Sequence, residues 1–201
     1  MPQTHTKNAQ RDALRKQLRA QRNSLSAEQQ RTAAAAICQL LSQQPVFKQA
    51  KHIAFYLAND GEIDPSLLVE EAQAQGKAVY LPVIDASSKQ MVFQQVMDTT
   101  QWQKNRYGIK QPKANPEQQK PVQALDILCI PLVGFDRSGA RLGMGGGFYD
   151  RALAPLKAQA VSSTRLIGLA HSCQESQCIP VQPWDIPLHA IVTEQAFITL
   201  I

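Results

Sequence analysis

The sequence has no long apolar run. None of its hydrophobic stretches approaches the roughly 20 residues that a helix needs to cross a bilayer. The first ten residues, MPQTHTKNAQ, contain no hydrophobic segment, so we expect neither a secretory signal nor a membrane anchor. These observations predict a protein with no membrane partner, in which residues 1–9 form a flexible tail and residues 10–201 form one domain.

Cysteine is scarce, and its spacing is not that of a zinc site. The four cysteines, Cys38, Cys129, Cys173 and Cys178, match no zinc pattern, and a chain without a secretion signal has little reason to form disulfides. Cys129 lies in an apolar run, which favours a buried thiol. We therefore predict a reduced, cytoplasmic protein.

The excess of positive charge is also small. The chain has 21 lysines and arginines against 16 acidic residues, a net charge of +5. This charge favours anionic ligands but is far below that of a dedicated nucleic-acid binder. We expect no nucleic-acid partner, and the 44% of hydrophobic residues is sufficient for one good core.

The sequence does contain clear helix signals. Leucines at i, i+4 and i+11 lie on one stripe of a helix predicted over residues 10–25. Ser26 and Gln29 form a capping box that opens a second helix. Asp64 followed by proline begins a third helix, and Gly76 ends it.

Strand patterns alternate with these helices. The candidates are HIAFYLA, KAVYLPV, MVFQQVM, LDILCIPLV, RLIGLA and AIVTEQAFITL. This alternation predicts a single α/β layered domain. The polar residues 98–123 are expected to form an irregular excursion, and FYDRALAPLK a short helix that Pro155 interrupts.

One loop, RLGMGGGFYD at residues 141–150, concentrates glycine between a core strand and a helix. That arrangement places backbone N–H groups around an anion. The loop is not a P-loop, because no Lys-Ser/Thr follows it, and Phe148 breaks the dinucleotide fingerprint counted from Gly143. A phosphate cradle and a flexible turn without a ligand remain the two interpretations. Arg141 favours the cradle, since an arginine and a helix N-terminus complement the same anion.

Asp150 follows the loop one turn into this helix. A carboxylate would repel a bound phosphate unless a cation lay between them, and Mg²⁺ commonly takes one or two carboxylates together with phosphate oxygens. The alternative is a stabilising interaction between an acidic side chain and the helix dipole.

Four arginines, Arg11, Arg15, Arg19 and Arg22, form a stripe on the first helix. Such a stripe is consistent with a solvated face, with a polyanion such as a nucleoside triphosphate, or with RNA. No aromatic residues are interleaved with it to stack bases, which disfavours RNA.

Taken together, these segments resemble the 5-formyltetrahydrofolate cyclo-ligase (methenyltetrahydrofolate synthetase) family. The resemblance rests on RLGMGGGFYD after PLVGFD, the basic helix, FYLANDGEID and a late WDIPL, in the same order over most of the chain. It implies a three-layer α/β/α domain with a mostly parallel sheet. It also implies the ATP- and Mg²⁺-dependent conversion of 5-formyltetrahydrofolate to 5,10-methenyltetrahydrofolate through a phosphorylated formyl group, with release of ADP and phosphate.

The resemblance also implies site residues. ATP would be held by Arg11, Asp12, Ala13, Leu14 and Arg15 of the basic helix and by Arg141, Leu142, Gly143, Met144, Gly145, Gly146, Gly147, Phe148 and Tyr149 of the loop. The folate would contact Leu57, Glu62, Tyr107, Met144, Gly145, Gly146, Gly147 and Phe148. Asp150 and Asp185 would bind Mg²⁺. The catalytic cations would be Arg141 and Arg15, because this loop has Met144 and Gly146 where some relatives carry Arg and Lys.

Each of these residues also has a plain structural interpretation. Glu62 is consistent with a solvated loop residue, Tyr107 with a loop anchor, and Asp185 with a turn former. His171 is consistent with a structural histidine or a general base, and the implied reaction needs no histidine base. Two other functions remain open: a non-catalytic RNA- or nucleotide-binding module, and a sugar-phosphate enzyme on a similar sheet. We expect a monomer.

Overall fold

A computed structural model describes residues 2–84, 90–105, 108–157 and 163–200, with side chains from residue 7 onward. The helices are α1 (Pro2–Asn23), α2 (Ala27–Ser42), α3 (Pro45–Gln49), α4 (Ser66–Ala74) and α5 (Phe148–Lys157). The strands are β1 (His52–Ala54), β2 (Ala78–Ile84), β3 (Met91–Gln95), β4 (Trp102–Lys104), β5 (Lys110–Pro112), β6 (Gln119–Lys120), β7 (Ile127–Pro131), β8 (Gly134–Phe135), β9 (Arg141–Leu142), β10 (Arg165–Leu169), β11 (Ala190–Val192) and β12 (Phe197–Thr199).

The first helix is longer than its apolar stripe predicts. It begins at Pro2, so the segment expected to be a tail, residues 1–9, is helical from its second residue. Proline suits a first helical position because its missing N–H has no intrahelical partner there. Once a helix has formed, each further residue adds a backbone hydrogen bond, and helix α1 therefore extends through residues that carry no apolar signal.

Local signals placed some of the other helix ends, although α4 begins at Ser66 with Pro65, and not Asp64, at its N-cap. The predicted capping box is present, with Ser26 N donating to Gln29 Oε1 at 2.8 Å. Gly76 follows α4 with a φ of +70°, a conformation that glycine adopts without strain. The interruption expected at Pro155 is wrong, because α5 continues through it. The loss there is the one backbone N–H donor that proline lacks, and the helix is formed on both sides of it.

Among the described residues, eight strands form the main sheet in the order β12-β11-β10-β7-β1-β2-β3-β6. The central strands β11, β10, β7, β1 and β2 are parallel. Strands β12, β3 and β6 pair in antiparallel fashion at the two sides. The sheet is therefore mostly parallel, as expected.

Each face of this sheet carries its own core. On one face, α2, α3 and α4 contribute side chains such as Ile37, Phe47 and Leu68. On the opposite face, α5 contributes Leu153 and Leu156. Helices thus cover both faces, which confirms the predicted three-layer α/β/α fold.

Two parts of the chain differ from expectation. The predicted irregular excursion, residues 98–123, contains an antiparallel hairpin of β4 and β5, so that prediction is wrong there. The glycine loop follows a second small hairpin, β8 with β9, and not the core strand β7 directly. The turn of this hairpin is held by buried Asp136, whose carboxylate accepts hydrogen bonds from the backbone of Ser138 at 2.8 Å and Ile179 at 2.7 Å.

Candidate active site

The predicted site residues gather at the carboxyl ends of β1 and β7. These strands are neighbours, but the chain leaves β1 toward β2 on one side and leaves β7 toward β10 on the other. Such a switch point leaves a crevice in which α/β proteins bind ligands. The segment after β1 supplies Leu57 and Glu62, and the glycine loop closes the crevice from the β7 side.

The glycine loop is clamped by two arginines. Arg15 Nε donates to the Gly143 carbonyl at 2.8 Å, and Arg151 Nη2 donates to the Gly146 carbonyl at 3.1 Å. Gly145 and Gly147 have φ values of +88° and +66°, in the region that side chains disfavour. At Gly147 a Cβ would also lie 2.8 Å from the Arg151 guanidinium. The backbone therefore requires glycine at these two positions.

A small cavity of about 70 Å³ lies between this loop and α1. Its lining is rich in guanidinium groups and consists of Arg11, Arg15, Ile130, Pro131, Arg141, Gly143, Gly145, Tyr149 and Asp150. The Arg141 side chain is only 5% exposed, and burial lowers its pKa from the usual value. Three cations around so small a space form a receptor for an anion.

Two of these cations are paired with the carboxylates predicted to bind metal. Arg141 Nη2 lies 2.7 Å from Asp150 Oδ1, and Arg11 Nη1 lies 2.9 Å from Asp185 Oδ2. Arg141 also donates to the Ile186 carbonyl. Asp150 and Asp185 both raise the pKa of Arg141 through their charges, against the larger effect of burial. The four side chains thus form one charge-balanced cluster.

The fit of Mg²⁺ to these two carboxylates differs. Asp150 lines the small cavity and is one-third exposed, so it offers a carboxylate beside the predicted phosphate position. Asp185 is 10% exposed, and its Oδ2 also accepts the Gln182 backbone N–H at 2.9 Å. Within the described residues, no three histidine, cysteine or acidic side chains are grouped as a metal site. One carboxylate with phosphate oxygens and waters is a normal Mg²⁺ environment, and Asp150 fits it.

The other residues predicted to contact ATP lie outside the small cavity. Asp12 and Ala13 are exposed on α1, and Asp12 forms an ion pair with Arg15. Leu14 packs against a small apolar cluster around Leu18. Leu142 is fully buried there as well. None of these four residues lines the small cavity.

A larger cavity of about 470 Å³ adjoins the small one. Of the predicted folate contacts, Leu57, Glu62, Met144, Gly146 and Phe148 line it. Gly145 faces the small cavity instead, and Gly147 stands in the lining of neither. Tyr107 lies outside the described residues.

Glu62 is the carboxylate of the larger cavity. Its Oε2 accepts the Asn59 backbone N–H at 3.1 Å. Burial raises the pKa of Glu62 to about 7, and the Asn59 hydrogen bond and the charge of Arg22 oppose that rise. Glu62 therefore changes charge near neutral pH, unlike the solvated loop residue that was the alternative.

The structure also brings residues to this cavity that sequence reasoning missed. Buried Gln111 on β5 accepts hydrogen bonds at 3.2 Å from the Ile84 backbone and from Asn105 Nδ2. The lining also includes Tyr56, Asn59, Pro82, Ile84, Met91, Asn105, Ile109, Lys110, Gln111 and Pro131. Some of these residues stood in FYLANDGEID or in the segment expected to be irregular, and Pro82, Met91 and Pro131 lay in predicted strands. None of these stretches marked a particular side chain as a binding residue.

Pro131, Gly143 and Tyr149 line both cavities. The two spaces therefore share a wall that is partly bare backbone. A group bound in one cavity would therefore lie beside a group bound in the other.

The arginine stripe is not a solvated face. Arg22 is fully buried and Arg11 is 7% exposed. Each of the four arginines pairs with an aspartate: Asp185, Asp12 or Asp60. Because Arg11 and Arg22 are buried, the four side chains do not form the exposed row of cations that contact with an RNA backbone requires.

The sequence matches the 5-formyltetrahydrofolate cyclo-ligase family over residues 7–194. The chain belongs to this family. It is 39% identical over 183 residues to the 5-formyltetrahydrofolate cyclo-ligase of Haemophilus influenzae, covering 90% of this chain and 96% of the relative. It is 38% identical over 177 residues to the protein of the same name from Escherichia coli K12, covering 88% and 96%.

Solved structures agree with this family membership. The fold matches the 5,10-methenyltetrahydrofolate synthetase of Aquifex aeolicus with a TM-score of 0.79 and 29% identity, covering 94% of this chain and 92% of that one. The synthetase of Mycoplasma pneumoniae gives a TM-score of 0.67 and 26% identity, covering 92% and 98%. The predicted family, fold and ligase class are therefore confirmed.

In the part of the chain that the structure describes, the helices are too short or too polar to cross a bilayer.

Proposed function

We propose that the small cavity binds the phosphates of ATP and that the larger cavity binds the pterin of 5-formyltetrahydrofolate. As a cyclo-ligase, the chain uses ATP to convert this folate to 5,10-methenyltetrahydrofolate. The observation that carries the assignment of the cavities is their shared wall at Gly143 and Tyr149. The reaction needs the two sites to be adjacent in this way, because the γ-phosphorus must reach the formyl oxygen.

The chemistry proceeds in two displacements. The formyl oxygen attacks the γ-phosphorus, and ADP leaves. N10 then attacks the activated formyl carbon, and phosphate departs with the former formyl oxygen as the ring closes and N10 loses its proton. Phosphoryl transfer of this kind depends mainly on positioning and charge stabilisation.

Three arginines supply this stabilisation in the small cavity. Arg15 fixes the loop through the Gly143 carbonyl and still faces the space, while Arg141 and Arg11 are held by aspartates. Because Arg141 is already desolvated and oriented, its charge acts on the phosphates with little reorganisation. This arrangement supports Arg141 and Arg15 as the catalytic cations in a loop that has no charged residue of its own between Leu142 and Phe148.

Asp150 is the side chain that would hold Mg²⁺ beside the phosphates. The ion would neutralise phosphate charge during transfer. Asp185 would contribute indirectly by orienting Arg11, so that both predicted metal residues serve the same anion. Asp185, unlike Asp150, does not line the small cavity.

Glu62 and the apolar lining would hold the folate. An ionised carboxylate accepts two hydrogen bonds from pterin N–H groups, and an unpaired N–H there would cost about 1–3 kcal/mol. Leu57 and Phe148 provide apolar surface for the flat heterocycle. Tyr107 stays a predicted contact of the same kind.

We further propose a cytoplasmic monomer. All four cysteines are free thiols, which is the state expected in a reducing compartment.

The proposed function has a direct test. Incubation with Mg-ATP and 5-formyltetrahydrofolate should raise the absorbance of the methenyl product and release ADP and product in equal amounts. With ¹⁸O in the formyl group, the label should appear in the inorganic phosphate. Methenyl product with unlabelled phosphate would refute the phosphorylated formyl group, and folded protein that forms no product would refute the function.

A further inference from the structure

The turn that precedes Ile63 has an unusual backbone. Asp60 has a φ of +54°, the only positive φ outside glycine among the described residues, and Gly61 follows with a φ of +76°. A non-glycine residue in this region is disfavoured, although aspartate and asparagine tolerate it better than most. Surrounding contacts must therefore hold the turn in place.

The Asp60 carboxylate makes these contacts with the second half of α1. Its Oδ2 accepts from Arg22 Nη2 at 2.6 Å and from Arg19 Nε at 2.8 Å, and its Oδ1 accepts from Asn23 Nδ2 at 3.2 Å. The Arg19 hydrogen bond is the main reason that the pKa of Asp60 lies below its usual value. Asp60 thus remains ionised wherever the enzyme works.

Arg22 makes Asp60 more than a surface partner. The Arg22 side chain is fully buried, and its Nε has no hydrogen-bond partner in the described part of the chain. Its Nη1 donates to the Leu132 carbonyl at 3.0 Å, just beyond the end of β7. A buried cation needs a partner of opposite charge, and Asp60 provides it.

Gly61 fits closely against the same helix. A Cβ at this position would lie 2.5 Å from Asn23 Oδ1. On its other side, the Gly61 carbonyl accepts a hydrogen bond from His171 Nε2 at 3.3 Å. His171 is thereby a support of the turn and not a group aimed at either cavity.

Glu62 is the last residue of this turn and depends on it. The Glu62 N–H donates to the Asn59 carbonyl at 3.1 Å, and the Asn59 N–H donates back to Glu62 Oε2 at 3.1 Å. The direction of the Glu62 carboxylate is therefore set by the conformation of the turn. The first half of α1 meanwhile presents Arg11 and Arg15 to the small cavity.

We propose that Asp60 is a positioning residue of the reaction. Its carboxylate fastens the turn of Asn59–Glu62 to α1. This attachment directs Glu62 toward the folate and fixes its position relative to the arginines that contact the nucleotide. The proposal rests on the proposed function, in which Glu62 binds the pterin. Asp60 itself contacts neither cavity and acts through Glu62.

The test is a double-mutant cycle with Asp60→Asn and Glu62→Gln, read as the KM for 5-formyltetrahydrofolate and the KM for ATP. Asparagine tolerates the same backbone conformation but carries no charge. We expect Asp60→Asn to raise the folate KM about tenfold with a much smaller change in the ATP KM, and Glu62→Gln to raise it by at least as much. In the double variant, the loss should equal that of Glu62→Gln alone, because a residue that acts through Glu62 has nothing left to position.

A second variant keeps the test decisive if Asp60→Asn fails to fold. Arg19 is 43% exposed, so Arg19→Gln removes one contact of Asp60 while Arg22 keeps its partner. We expect a smaller rise of the folate KM, about threefold. Glu175→Gln is the matched control, because it breaks an exposed ion pair with Arg137 that borders neither cavity; its folate KM should equal that of the parent.

The possible outcomes distinguish the positioning role of Asp60 from the proposed function on which it rests. If Glu62→Gln leaves the folate KM unchanged, Glu62 is not in the folate site, and the proposed function loses that contact along with the basis for positioning. If Glu62→Gln raises the folate KM while Arg19→Gln and Asp60→Asn do not, positioning alone is overturned. A double variant whose losses add, or equal losses for both substrates, would likewise show a merely structural Asp60.

Discussion

At the scale of single residues, Glu62 links the folate cavity to pH. Burial raises its pKa to about 7, so the carboxylate that we propose as acceptor of pterin N–H groups is protonated in part of the accessible range. We expect kcat/KM for the folate to fall about tenfold per unit as the pH drops below this value, because that ratio reports the free enzyme. The pH profile of Glu62→Gln should lack this limb; a profile identical to that of the parent would assign the limb to another group.

The same raised pKa predicts that the stability of the fold changes with pH in the direction opposite to kcat/KM. Between the ordinary value of 4.5 and about 7, folded Glu62 binds more protons than unfolded Glu62, so stability falls as the pH rises through this window. Glu62→Gln removes the buried charge and should raise Tm at pH 8 while changing it little at pH 4. Thermal melts at the two pH values measure this difference, and an equal change at both would indicate an effect of packing.

Asp150 and Asp185 were both predicted to bind Mg²⁺, but their surroundings differ. Both pair with a buried arginine, so Asp150→Asn and Asp185→Asn serve as stability controls for each other. We expect Asp150→Asn to raise the Mg²⁺ concentration for half-maximal rate about tenfold, since it removes the carboxylate beside the phosphates. Asp185→Asn should instead raise the KM for ATP by freeing Arg11. Mg²⁺ titrations at saturating ATP distinguish the two, and equal shifts would make both residues ligands.

At the scale of elements, the glycine loop depends on two of its glycines more than on the others. Gly147→Ala forces a side chain into a φ of +66° and against Arg151, which should cost about 1–2 kcal/mol and loosen the clamp on Gly146. Gly143→Ala is the control on the same loop, because a Cβ there meets nothing within 4 Å and its φ is not left-handed. Denaturant unfolding should show a loss for the first variant and less than about 0.5 kcal/mol for the second. Equal losses would show that the loop is not constrained at Gly147.

Elements with local signals were predictable from the sequence. The capping box of α2 and the glycine after α4 were found because their hydrogen bonds and dihedral angles involve neighbours in the chain. Buried strands such as β7 were found because both faces of a parallel strand are apolar. The first turns of α1 were missed because their residues carry no apolar period. The β4–β5 hairpin was missed because its strands are short and β4 is exposed throughout, although Asn105 and Gly108 are typical turn residues.

The site was predictable only in part, for a related reason. The loop, Glu62 and the arginines stand in recognisable stretches, so the family resemblance reached them. The pairing of Arg11 with Asp185 joins residues 174 positions apart, and the fold alone brings them together. The same holds for Gln111, which reaches the cavity because β5 returns beside β2. Long-range contacts of this kind have no signature in one sequence.

At the scale of the whole molecule, the proposed nucleotide site joins parts from both ends of the chain. Helix α1 supplies Arg11 and Arg15, and the loop before α5 supplies Arg141. A ligand that binds only where these parts meet stabilises the whole fold, by about 2.7 kcal/mol at one hundred times its Kd. Mg-ADP should therefore raise Tm in the parent and much less in Arg141→Ala. A rise of the same size in that variant would place the nucleotide elsewhere.

The ends of the main sheet have a consequence for how copies of the chain meet. The outermost strands, β6 and β12, are two and three residues long, and β6 ends in Lys120. Strands this short offer few open backbone groups to which an incoming strand could add, and the lysine on β6 opposes such pairing further. The sheet is thus poorly suited to pairing with the edge strand of a second molecule, and this protects the protein against aggregation through its sheet edges.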